Sequence, residues 1–71
     1  MPKAKITNEI RRLRFESDEM TQRELAERVG CTRQTIVLLE QGRYVPSLSL
    51  AFSIARTFEQ TIEEVFRYES P

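Results

Sequence analysis

The chain has 71 residues, of which 39% are hydrophobic and 31% charged, as in one small globular domain rather than a disordered or membrane-spanning protein. Eleven basic and eleven acidic residues give a net charge of zero, which argues against a polybasic nucleic-acid binder of high pI. The charge is uneven, however, because residues 1–15 are mainly basic and residues 59–71 mainly acidic. A basic surface can therefore exist on a neutral chain.

The single cysteine excludes an internal disulfide and favours a reducing compartment. Because no His or second Cys could complete a metal site, Cys31 is predicted to be a small buried hydrophobic residue. No apolar run approaches the roughly 20 residues of a membrane span, and the N-terminus lacks the apolar segment of a signal peptide. We expect a cytoplasmic protein that does not contact membranes.

The first helix is predicted over about residues 7–16, because Ile6, Ile10 and Leu13 recur at helical spacing. The residues before it are expected to fray, with phosphate contacts by Lys3 and Lys5 as the alternative. The polar residues 17–19 are expected to end this helix.

The second helix is predicted over residues 21–29. Thr21 and Glu24 have the spacing of a capping box, in which each side chain accepts a hydrogen bond from the other residue's backbone N–H. Met20 and Leu25 have the spacing of a hydrophobic staple. Gly30 is expected to end the helix in a left-handed conformation.

The third helix is predicted over residues 32–41, with Thr32 as its N-cap. Ile36 and Leu39 share one helical face and are assigned to the core. The other face carries polar and aliphatic side chains together: Arg33 at the N-terminal tip, then Gln34, Val37, Leu38 and Gln41. Such a face is expected to contact another molecule.

Two further patterns predict a fourth helix over residues 47–58, capped by Ser47, and a fifth over residues 61–67. The inner stripe of the fourth helix is predicted to consist of Leu48, Ala51, Ile54, Ala55 and Phe58. Thr61 and Glu64 form another capping box. The tail, residues 67–71, is expected to be loose.

The residue types needed for most enzyme chemistry are missing. Without histidine there is no Ser/His/Asp or Cys/His set, and two glycines, Gly30 and Gly42, cannot form a glycine-rich phosphate loop. We therefore predict no catalytic residues, no metal and no cofactor, and a binding protein rather than an enzyme.

Two short helices joined at a glycine predict a helix-turn-helix. Arg can donate two hydrogen bonds to guanine, Gln can pair with adenine, and aliphatic side chains can contact the thymine methyl group. Arg33, Gln34, Val37 and Leu38 are therefore predicted to contact bases. The alternatives are a solvated helix start for Arg33 and Gln34, and packing against the domain or a partner for Val37 and Leu38.

The ordered set of residues from Ile6 to Phe66 resembles the Cro/C1-type helix-turn-helix family of bacterial and phage repressors, in its small stand-alone form. The matching segments are Thr21-Gln22, Glu24-Leu25-Ala26, Val29-Gly30, Thr32-Arg33-Gln34-Thr35-Ile36, Leu39-Glu40, Gly42, Tyr44, Pro46-Ser47, Leu50-Ala51, Ile54-Ala55 and Ile62-Glu63-Glu64-Val65-Phe66. Any one segment is weak, whereas the ordered set is specific.

This resemblance implies an all-α, five-helix, lambda-repressor-like domain that places its third helix in the major groove. It implies phosphate contacts by Gln22, Thr32, Arg43 and Tyr44, and a structural ion pair between Arg14 and Glu40. The chain departs from the family at Asp18 and Glu19, which add negative charge near the expected phosphates. It departs again at Glu59, where relatives often have a helix-ending glycine.

The function that we expect is sequence-specific binding of double-stranded DNA by a transcriptional regulator, as a repressor and as a homodimer on a palindromic operator. The fifth helix and the tail, with Phe66 and Tyr68, are the predicted dimer contacts, and burial of these two aromatic side chains in the core is the alternative. The alternative is an antitoxin-like or other protein-interaction module, which would use exposed Val37 and Leu38 to hold a protein partner.

Overall fold

The computed structural model describes residues 5–69, which form five helices and one two-stranded sheet. The helices are α1 (Ile10–Glu16), α2 (Gln22–Val29), α3 (Arg33–Glu40), α4 (Leu48–Thr57) and α5 (Ile62–Val65). The strands are β1 (Lys5–Asn8) and β2 (Phe66–Glu69), which pair antiparallel. The prediction of a five-helix domain is confirmed, and the sheet is a small addition to it.

The sheet corrects three predictions about the two ends of the chain. Residues 7 and 8, predicted to be helical, are extended and pair with residues 67 and 66. The fifth helix ends at Val65 because Phe66 has extended φ and ψ angles of −118° and 140°. The segment before the first helix therefore forms a strand from Lys5 onward, and the tail forms a strand as far as Glu69. Lys3 and residues 70–71 lie outside the described residues.

Asn8 explains why α1 starts later than predicted. Its Oδ1 accepts a hydrogen bond from the Ile10 backbone N–H at 3.1 Å, a local turn bond that precedes the N-cap residue Glu9. Its Nδ2 donates to the Leu39 carbonyl at 2.8 Å, near the end of α3. The Glu9 N–H donates to the Val65 carbonyl at 2.9 Å. The N-terminal segment is thus tied both to the end of α3 and to the end of α5.

The predicted caps of α2 and α3 are present. Thr21 and Glu24 exchange both hydrogen bonds of the capping box, and Gly30 has a φ of 76°. The bond from the Thr21 backbone N–H holds the pKa of the Glu24 carboxyl below its usual range. The Thr32 hydroxyl accepts from the Thr35 N–H at 3.2 Å and starts α3. Local sequence therefore fixes where both helices begin.

The core forms where the five helices meet. Its fully buried larger side chains are Ile10, Leu25, Ile36, Leu39, Ile54 and Val65. The predicted inner stripe of α4 is confirmed at four positions, but Leu48 is 71% exposed. Leu48 is the first residue of α4 and lies beside Val45 and Pro46 at the edge of the core. Its spacing matches the inner stripe, but the core does not extend far enough to cover it.

Glu59 gives a testable cost in stability. Its φ is 55°, in a turn closed by the Gln60 N–H donating to the Ala55 carbonyl at 2.9 Å. Gly42 occupies the equivalent place after α3, with a φ of 72°. Because a side chain costs about 1–2 kcal/mol in this conformation, Glu59→Gly is expected to raise the free energy of unfolding by about 0.5–1 kcal/mol after the entropy of glycine is subtracted.

Urea denaturation of the wild type, Glu59→Gly and Glu59→Ala would measure this effect. Glu59→Ala removes the same charge but keeps a Cβ atom, so it should give little of the gain. Equal stabilisation by both variants would show that charge rather than backbone strain is relieved.

Candidate nucleic-acid interface

An open groove of about 740 Å³ lies between α1, α2 and α3. The N-cap residue Thr21 and the first two residues of α2, Gln22 and Arg23, line one side of it. Arg33 and Val37 of α3 line another side. The groove therefore brings the start of α2, predicted to contact phosphates, next to the helix predicted to contact bases.

The four side chains predicted to contact bases differ in exposure. Arg33 and Gln34 are exposed on the first turn of α3, where both can reach another molecule. Val37 and Leu38 are half-buried and partly covered by the domain. Val37 also lines the groove, and the use of this face to hold a protein partner stays an untested alternative.

Arg14 and Glu40 form the predicted ion pair. Arg14 donates from Nε to Oε2 at 2.7 Å and from Nη2 to Oε1 at 3.0 Å, a geometry in which both carboxylate oxygens accept. Arg14 Nη1 also donates to the Met20 carbonyl at 2.8 Å. Both side chains are largely buried. The pair joins α1, the α1–α2 turn and the end of α3.

Glu40 has a further contact that the sequence did not reveal. Its Oε1 also accepts a hydrogen bond from Gln22 Nε2, at 3.3 Å. The Gln22 side chain is half-buried and is oriented by this bond. Since an amide has a second N–H, Gln22 can still donate toward the groove. The helix predicted to read bases and the residue predicted to hold phosphate are thus joined through one carboxylate, that of Glu40.

The remaining predicted phosphate contacts surround α3. Thr32 is exposed at its N-terminus, although its hydroxyl already contacts Thr35. Arg43 and Tyr44 are exposed just after its C-terminus, and Tyr44 lines a second groove beside Lys5. These residues lie outside the large groove, so any backbone that they contact must pass the two ends of α3.

Two basic residues of the groove were not among the predicted contacts. Arg11 of α1 and Arg23 of α2 both line it, and both are exposed. Arg11 precedes Arg14 by three residues, which places them on one helical face, and Arg23 follows Gln22 directly. The spacing was visible in the sequence, but the packing of α1 beside α2 was not.

Cys31 is half-buried and packs against the core, and burial raises the pKa of its thiol. Within residues 5–69 no group of His, Cys, Asp and Glu side chains could hold a metal ion. None of the described helices is long and apolar enough to cross a bilayer.

Comparison with known proteins identifies relatives of this chain. The helix-turn-helix family matches residues 10–65. An uncharacterized HTH-type transcriptional regulator of Archaeoglobus fulgidus is 58% identical over 50 residues, which are 70% of each chain. Another from Bacillus subtilis, YgzD, is 44% identical over 64 residues, which are 90% of this chain and 96% of the relative.

The fold also matches a solved structure. A crystal structure of a candidate DNA-binding protein from Bacteroides fragilis superposes with a TM-score of 0.74, covering 87% of this chain and 98% of that chain. At 22% identity this similarity concerns the fold alone. Together, the matched residues and the fold show that the chain belongs to the Cro/C1-type helix-turn-helix family of DNA-binding transcriptional regulators.

Proposed function

We propose that the protein binds a specific double-stranded DNA sequence with α3 in the major groove, and that it acts in the cytoplasm as a repressor. The observation that carries this proposal is the position of Arg33 and Gln34, exposed on the first turn of α3 beside the groove that Gln22 lines. An α-helix fits the major groove, and these two side chains can form paired hydrogen bonds with base edges. Occupying an operator is enough to block a promoter sterically.

The two Gln residues have different roles in this arrangement. Gln34 is exposed on α3 and reads a base, whereas Gln22 at the start of α2 donates to a phosphate. Arg33 reads a second base, and Val37 and Leu38 contact thymine methyl groups only through the part of each side chain that remains exposed. Thr32, Arg43 and Tyr44 contact the backbone on either side. Base contacts specify the sequence, and phosphate contacts fix the position of the helix.

Selection of bound sequences from a random DNA pool tests the proposal. The wild type should enrich one motif at low salt. Gln34→Ala should weaken binding to that motif by about 1–3 kcal/mol and relax the preference at one base position. Gln22→Ala, the matched control, should weaken binding to all sequences alike and leave the preferred sequence unchanged. Failure of the wild type to enrich any motif would refute sequence-specific binding.

We also propose that two copies bind together on a palindromic operator. Paired α3 helices about 34 Å apart would then enter successive turns of the major groove on one side of the duplex. A chain of this size buries a small core, so a second copy could cover further apolar surface.

An apolar surface next to the end of α3 is suited to this contact. It consists of Ile6, Val45, Pro46, Leu48, Ala51, Ile62 and Phe66, which line one groove, together with Tyr68 beside it. Val45, Leu48 and Tyr68 are 65%, 71% and 72% exposed. Phe66 packs partly against the core, so it forms the floor of this surface rather than a projecting contact. Isolated exposed apolar residues are ordinary, but a contiguous group indicates an interface.

A further inference from the structure

Glu19 is a carboxylate held in the wall of the basic groove. It lies in the α1–α2 turn and lines the groove with Arg11, Arg23 and Arg33. Glu19 forms no ion pair within residues 5–69. The acidic residues that do form ion pairs there are Glu9, Glu16 and Glu40. An acidic side chain therefore faces the space in which the DNA backbone would lie, without a cation in direct contact to neutralise it.

The backbone holds Glu19 there at a cost. Its φ is 54°, a left-handed conformation that a side chain rarely adopts, and the preceding Asp18 has a φ of 58°. The turn is fixed from both sides, because the Glu19 N–H donates to the Phe15 carbonyl at 3.1 Å and the Met20 N–H donates to the Arg14 carbonyl at 2.9 Å. The backbone carbonyls of Arg14 and Phe15 thus hold the turn that carries Glu19. The Arg14 side chain, in turn, binds Glu40, which binds Gln22.

We infer that Glu19 is a repulsive contact that limits the affinity of the groove for phosphate, an inference that rests on the proposed DNA-binding function. A carboxylate repels the backbone of every duplex alike, whereas base contacts by Arg33 and Gln34 are gained at the operator alone. With the phosphate contribution lowered, non-specific complexes dissociate faster, and only sites that add base contacts remain occupied. The turn therefore sets how firmly the domain binds, while α3 sets where it binds.

The matched pair Glu19→Gln and Asp18→Asn tests this inference. Each variant removes one charge, and each keeps a side chain on a left-handed residue of the same turn. Asp18 is exposed but is not among the residues that line the groove, so it controls for net charge and for backbone strain. Binding would be measured with the selected operator and with a random duplex of equal length, across a salt series.

Glu19→Gln is expected to strengthen binding to both duplexes by about three- to tenfold at low salt, and the gain should shrink toward about 1 M salt as charges are screened. The preferred motif should not change. Asp18→Asn should strengthen binding to either duplex less than Glu19→Gln does, because Asp18 does not line the groove. Circular dichroism would verify that both variants are folded.

The outcomes separate this inference from the function on which it rests. A wild type that enriches no motif refutes sequence-specific binding. A wild type that enriches a motif, combined with equal effects of the two variants, overturns the role of Glu19 alone. Weaker binding by Glu19→Gln would also overturn it, since the carboxylate would then support the complex.

Discussion

Glu40→Ala is expected to lower the free energy of unfolding by about 3 kcal/mol, because it leaves the charge of Arg14 largely buried without its partner. A domain of this length has a total stability of the order of 5 kcal/mol, so the variant should be close to unfolding at physiological temperature. Arg14 would keep one recorded contact, to the Met20 carbonyl at 2.8 Å. That bond alone does not compensate the guanidinium.

Stability would be measured by denaturant titration at low temperature, where the variant remains folded. The control replaces both partners, as Arg14→Met with Glu40→Leu, since an apolar pair of similar volume is often as stable as a buried ion pair. This double variant should recover most of the loss. If it is as unstable as Glu40→Ala, the cost arises from α3 itself rather than from an unpaired charge.

Glu40→Ala should also weaken DNA binding by the protein that remains folded. The Glu40 carboxylate orients Gln22 through the 3.3 Å hydrogen bond, so its loss frees the amide that we assign to a phosphate. A double-mutant cycle tests this route. In a Gln22→Ala background, Glu40→Ala should cause little further loss of affinity per folded molecule. Fully additive losses would mean that Glu40 acts on DNA independently of Gln22.

The parts of this fold that are encoded locally could be predicted from sequence. The Thr21–Glu24 box and Gly30 lie within one turn of the helix ends that they define, so their hydrogen bonds depend on few distant residues. The Arg14–Glu40 pair spans 26 residues and was reached by resemblance to a family, and the structure confirms it. Spacing alone would not have joined these two side chains.

The parts that depend on packing between distant segments could not be predicted. Ile6 continues the helical spacing of Ile10 and Leu13, yet it pairs with Tyr68, 62 residues away, in the sheet. Nothing in the local sequence signals that partner. The same limit applies to the groove, because Arg11 and Glu19 become its walls only when α1 and α2 pack together. Tertiary contacts therefore determine both that the two chain ends form strands and which charged residues line the groove.

Leu48→Arg tests the proposed dimer, and of the variants described it is expected to have the largest effect on DNA binding. Leu48 is 71% exposed, so the change should not disturb the core, but it would place a charge inside an apolar interface. We expect a monomer, and affinity for the full palindrome lower by about 100-fold, since the second half-site no longer adds its avidity. Affinity for an isolated half-site should change by less than about threefold, because α3 is unaffected.

Phe15→Arg is the matched control, since Phe15 is 68% exposed but lies on α1, outside the apolar surface. It adds the same charge in place of a similarly exposed apolar residue and should leave the oligomeric state unchanged. Sedimentation velocity would give that state, and titration of half-site and palindromic duplexes would give both affinities. A monomeric wild type that still prefers the palindrome would mean that the two copies meet only on DNA. Equal loss of palindrome affinity from both variants would place the interface elsewhere. Loss of self-association from Leu48→Arg alone, with half-site binding intact, would locate the dimer contact at the apolar surface beside α3.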